Sequence, residues 1–151
     1  MNGEGNIQLN GNLDKVFSSL LDPEVLKNCI MGCKELYKQE TNMYVADLSV
    51  GVAAVKGKYD ATIRLTDLEP PHSYKLIVHG EGAPGFVDAE AAIHLVSVDD
   101  ENTELRYTYE AAVGGKVASI GQRMLGGVAK LIIKDFFKKI KRELDKVNIA
   151  D

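Results

Sequence analysis

The sequence predicts an α+β fold: a curved antiparallel sheet of about seven strands wrapped around a long C-terminal helix, with two short helices after the first strand. Three observations carry that expectation. Between Leu13 and Gly32 two short helical segments meet at Asp22-Pro23. From Cys33 to Val113 apolar residues recur with a period of two, the mark of strands with one buried face. After Gly115 the period lengthens to that of a helix.

Taken in order, residues 4–10 supply a first strand. In LDKVFSSLL, Val16, Phe17, Leu20 and Leu21 fall at helical spacing behind Asn12, a suitable N-cap. Asp22-Pro23 stops this helix and starts the next, because proline is at home in the first helical position. The second helix, PEVLKNCI, ends near Gly32. Alternation then marks the strands: Ala46, Leu48, Val50 and Val52; Tyr59, Ala61, Ile63 and Leu65; Tyr74, Leu76 and Val78; and Leu105, Tyr107, Tyr109, Ala111 and Val113. The segments KGK, EPPH, GAPG and DDEN separate them as turns. In the last segment Val117, Ile120, Met124, Val128, Ile132, Phe136, Ile140, Leu144 and Val147 trace one stripe, expected to form a single helix from just after Gly115.

A sheet with one apolar face needs a cover, and only the final helix is large enough. A sheet curled around it, with the two short helices closing one end, encloses an interior cavity. Its expected lining is Leu20 and Met31 from the helical corner, and Leu48, Val50, Tyr59, Ile63, Leu76, Val78, Phe86, Ile93, Tyr107 and Tyr109 from the strands. The final helix adds Val117, Ile120, Gly121, Met124, Leu125 and Val128. Glycine disfavours a helix interior by about 1 kcal/mol relative to alanine. Gly121 is therefore expected on the gripped side, and Gly126 and Gly127 where a bend loosens the helix.

The chain of 151 residues is expected to form one domain, residues 1–151. Its N-terminus has neither the basic nor the apolar region of a signal peptide, and no apolar run is long enough to span a bilayer, so a cytoplasmic protein is expected. Cys29 and Cys33 lack the additional ligands of a zinc site, and His72, His79 and His94 are scattered; no metal is expected. The net charge of -4 hides an asymmetry. Residues 1–115 hold 9 basic and 18 acidic side chains, whereas residues 116–151 hold 9 basic and 4 acidic. Lys134, Lys138, Lys139, Lys141 and Arg142 form either a contact with a membrane surface or acidic partner, or the solvated face of one helix.

Three stretches, LLDPEVLKNCIMGC (20–33), SVGVAAVKGKYDATIRLTDLEPPHSYKL (49–76) and AAVGGKVASIGQRML (111–125), resemble the G-subunit family of carbon monoxide dehydrogenase, within the START-like (SRPBCC) helix-grip superfamily. One departure is Met31, where the family pattern carries proline. The resemblance implies an accessory protein with no catalytic residues or cofactor of its own. It would bind a lipid or quinone-like molecule and assist peripheral membrane association of a molybdenum-containing dehydrogenase. The alternative is a small START-like enzyme, cyclase- or hydrolase-like, acting on an apolar substrate.

The residues themselves supply little catalytic machinery. A hairpin pairing Ala83 with Phe86 would set His79 opposite Glu90 and Lys75 opposite His94, all facing outward. Tyr59, Tyr107 and Tyr109 fall on the apolar face, as core packing or as groups that orient a ligand's polar head. GEGAPG lacks the lysine and the strand-to-helix setting of a phosphate loop. The basic helix lacks the interleaved aromatics of a nucleic-acid platform, and no nucleic-acid partner is expected.

Overall fold

β1 (Asn2–Asn10) leads through Gly11 into α1 (Leu13–Leu21). Asn12 caps this helix: its side-chain oxygen accepts the Lys15 backbone N–H at 2.9 Å, satisfying a donor that the first turn leaves free. Asp22 follows as N-cap of α2 (Pro23–Cys29), accepting from the Glu24 N–H at 2.9 Å. Pro23 occupies the start of α2, so the helical corner forms as the sequence predicts. This computed structural model describes residues 1–150, with side chains described through Asn148.

Six strands follow: β2 (Cys33–Glu40), β3 (Met43–Val50), β4 (Gly57–Glu69), β5 (Ser73–Gly82), β6 (Gly85–Asp99) and β7 (Asn102–Gly114). They form one antiparallel seven-stranded sheet in the order β1-β7-β6-β5-β4-β3-β2. The meander runs β2 to β7, and β1 returns to pair with β7, leaving β1 and β2 as the edges.

Two local features depart from expectation. The β5–β6 hairpin turns on Ala83-Pro84 with Gly82 opposite Gly85, so His79 faces Asp88 and Lys75 faces Ala92. This two-residue slip keeps every side chain on its expected face, because the pleat repeats every two residues. Nor is the last segment one helix. Lys116–Ile120 forms a 3₁₀ turn and Gly121 has φ 91°, ψ 158°; α3 (Gln122–Ala150) begins only after it. Such angles cannot continue an α-helix and are open to glycine. The Val117 N–H donates to the Pro84 carbonyl at 2.9 Å, tying the 3₁₀ turn to the hairpin.

The packed core occupies one half of the grip. Leu9, Val16, Cys29, Tyr44, Leu95, Leu105, Ile140 and Leu144 are fully or almost fully buried, and Phe17 meets Tyr74 edge-on at 5.6 Å. The core ends along α3 at Ile133 and Phe136, which are only partly buried.

A candidate cleft for an apolar ligand

Beyond that core the inward face of the sheet is apolar but not sealed. Val50, Tyr59, Val78, Tyr109 and, on α3, Val128 are half-buried and stand outside the core cluster. Leu48, Ile63, Leu76 and Tyr107 mark the boundary, packing on the core while remaining half-exposed. The floor is made of small residues brought together by register. Ala89 pairs with Ala111, and Ala91 with Tyr109, whereas Ala46 and Ala61 belong to the packed core. Small side chains beneath larger, half-exposed walls mark a candidate cleft between the far half of the sheet and the first half of α3. The interior cavity expected from sequence is thus a packed core at one end, with the candidate cleft at the other.

One end of the cleft is shaped by three connections. The 3₁₀ turn Ala53–Val55, the β5–β6 hairpin and the 3₁₀ turn Lys116–Ile120 adjoin one another. Tyr59 donates to the Val55 carbonyl at 2.6 Å, fixing its ring against this rim. Met31, half-buried, sits in the turn whose Gly32 carbonyl accepts the Ser49 N–H at 2.8 Å, beside the end of β3.

Several expected lining residues lie elsewhere. Leu20 and Ile93 belong to the packed core. Val117 and Leu125 are buried in the segment that covers the end of the cleft, with Ile120 half-buried between them. Phe86 is 43% exposed and shares the outer face with Glu81, its partner across the hairpin, while its ring covers Gly114. Alternation within β6 already places Val87 inward. Met124 is 56% exposed and Gly121 is also exposed, so neither faces the sheet. Ala89, Ala91 and Ala111 were not expected as lining, although the alternation of Asp88 and Glu90 with Ala89 and Ala91 signalled an inward face. Their small size hid them, because a cleft floor is defined by what is absent.

The titratable groups are largely directed outward. His79 Nδ1 lies 2.6 Å from Asp88 and Nε2 lies 3.5 Å from Glu81; hydrogen bonds to Asp88 and then Glu81 raise its pKa above the ordinary histidine value. Glu35, Asp47, Asp60 and Glu81 form one row across β2 to β5, and the hydrogen bond with Asp60 raises Asp47 above the usual carboxylate range. Burial, reinforced by Glu143, pushes the Cys29 thiol up to about 12. Cys29 and Cys33 are both free, and no group of three metal-ligating side chains converges among the described residues.

Two polar depressions, of about 390 and 450 Å³, also open on the surface. The first is lined by Asn10, Asn12, Asp100, Glu101 and Asn102, and the second by Glu4, Lys75, Glu90 and Glu110, with Gly3, Ala91 and Tyr109 beneath them.

On α3, Lys134, Lys138, Lys141 and Arg142 are exposed. Lys139 differs: it is half-buried and its ammonium lies 2.8 Å from Asp135, one turn earlier. Leu131, 49% exposed, lies among the basic residues.

The family model for the G subunit of carbon monoxide dehydrogenase (CoxG) matches residues 5–145. The chain belongs to the CoxG family. A conserved protein from Geobacillus kaustophilus is 60% identical to it, with a TM-score of 0.94 over 97% of this chain and 96% of that one. A START superfamily protein from Mycobacterium smegmatis aligns at TM-score 0.75 and 10% identity, covering 97% of this chain and 98% of that one. The Zhui aromatase/cyclase from Streptomyces sp. R1128 aligns at TM-score 0.71 and 16% identity, covering 97% and 94% of the two chains. At such identities the last two establish the helix-grip fold alone. No curated protein matches the sequence. Family and fold together point to a hydrophobic small-molecule ligand for this CoxG chain.

Proposed function

We propose that this chain binds an apolar or amphipathic small molecule, a lipid or a quinone, in the cleft between the sheet and the first half of α3, without transforming it. The carrying observation is that apolar side chains on the covered face stay half-exposed over a floor of alanines, Ala89, Ala91 and Ala111. Apolar surface left wet costs about 25 cal/mol per Å², which a bound hydrocarbon would recover. Family membership supports an accessory role beside a molybdenum-containing dehydrogenase at the inner face of the cell membrane. Binding is favoured over catalysis because His79 and its two carboxylates face away from the cleft.

The test is organic extraction of the purified protein followed by mass spectrometry, together with titration by decyl-substituted benzoquinone. The expected result is a co-purifying amphiphile and saturable binding that Ala89→Trp, by filling the floor, abolishes while the thermal melt stays cooperative. An empty extract with no quinone binding would sink the proposal. Turnover of a bound polyketide or ester would instead favour the small-enzyme reading.

A further inference from the structure

β1 places two glycines, Gly3 and Gly5, directly opposite Tyr109 and Tyr107. A Cβ at Gly3 would lie 2.5 Å from the Tyr109 ring, and one at Gly5 would lie 2.5 Å from the Tyr107 hydroxyl. Both phenols therefore lean sideways across the bare backbone of the edge strand. That posture has two consequences. It keeps both rings off the alanine floor of β6 and β7. It also sets the two hydroxyls along the β1 edge of the cleft, with the Tyr107 ring 5.4 Å from that of Phe137 on α3 and tilted by 35°.

Their hydrogen bonding separates these tyrosines from two others of the apolar face. Tyr44 donates to the Leu21 carbonyl and Tyr59 to the Val55 carbonyl. Among the described residues no protein group accepts from, or donates to, the hydroxyl of Tyr107 or Tyr109. Both residues are half-buried, in an otherwise apolar wall. A phenol positioned by its neighbours but bonded to none of them is free to donate to a ligand.

Resting on the reading of the cleft as a ligand site, we infer that Tyr107 and Tyr109, held against Gly5 and Gly3, are its polar end and recognise a hydrogen-bond acceptor, a carbonyl oxygen, on an otherwise apolar ligand. The apolar body lies over Ala89, Ala91 and Ala111 toward Val78. Gly3 and Gly5 are positioning residues: they touch no ligand but decide where the two hydroxyls stand.

The experiment compares two probes that share a tail, decyl-substituted benzoquinone and decylbenzene, by displacement of a fluorescent apolar dye from the full chain. The wild type is expected to prefer the quinone. Y107F and Y109F keep both rings, and each should weaken quinone binding by about two- to tenfold, the range for a single net hydrogen bond, without changing decylbenzene binding. Gly3→Ala should weaken both probes by driving the Tyr109 ring toward the floor. The double variant G3A/Y109A should recover decylbenzene binding but not the quinone preference. Thermal melts identify any variant that fails to fold, and the two phenylalanine variants then carry the test alone. Equal binding of both probes by the wild type, or an undiminished preference in Y107F/Y109F, would overturn the inference and leave the cleft reading standing. A wild type that binds neither probe would overturn both.

Discussion

At the residue scale, strand register alone can strongly organise an exposed side chain. His79 sits between two carboxylates because β5 places Glu81 two residues along the same face and β6 places Asp88 opposite. Each contact favours the imidazolium, so its folded pKa is raised, Asp88 contributing most. The sign follows: the stabilisation is fully present below the unfolded histidine pKa, near 6.5, and is lost as pH rises through the higher folded value. NMR titration of the imidazole should therefore give a midpoint above 6.5, and Asp88→Asn should move it down. A midpoint unchanged by Asp88→Asn would remove Asp88 as the cause. Solvent screens so exposed a group, so any effect on global stability will be small. The alternation in β5 and β6 made the outward face legible. Asp88 as the partner was not, because it depends on whether the hairpin turns at residues 83–84 or 84–85.

At the scale of elements, the glycines of the last segment divide into two kinds. Gly121 has φ 91° and ends the 3₁₀ turn, so a side chain there is strained although no atom crowds it. Gly126 and Gly127 lie within α3, and a Cβ on either would meet nothing within 4 Å. No packing contact demands them, and they carry only the helix cost of glycine. Gly121→Ala should lower the melting temperature. Gly126→Ala and Gly127→Ala should each raise it, by about 0.5–1 kcal/mol in stability. Differential scanning calorimetry distinguishes these signs, and a destabilising Gly126→Ala would show that this turn needs its glycine for another reason. In sequence the three glycines look alike, because positive φ and helical φ leave the same letter in the chain.

At the scale of the whole molecule, charge is divided between an acidic body and a basic final segment. Only the latter carries exposed Lys134, Lys138, Lys141 and Arg142 together with exposed Leu131. Under the proposed membrane role, an anionic bilayer would meet this face, each basic residue contributing about 1 kcal/mol near the surface. Reversing those four residues to glutamate should abolish co-flotation with phosphatidylserine-containing vesicles, and raised salt should weaken the wild type. Lys139→Glu should matter less, since its ammonium is already engaged by Asp135. Flotation that survives the fourfold reversal would reject this face as the contact. No helix among the described residues is long and apolar enough to cross a membrane, so a contact by this helix would be made at the surface.

Local chemistry along the chain is enough to set the element order, the inward and outward faces of most strands, and the helical corner at Asp22-Pro23. Each depends on near neighbours in sequence: a period of two, a period of 3.6 residues, a cap and a proline. The same letters also carry enough of the family pattern to identify CoxG. Tertiary structure decided the hairpin register, the break at Gly121 and the extent of the cleft. These depend on how separate segments meet: Val117 on Pro84, Tyr109 on Gly3, and α3 packing the core only as far as Ile133. A core and a cleft can be written with the same apolar residues; whether the covering helix packs them into the core separates the two.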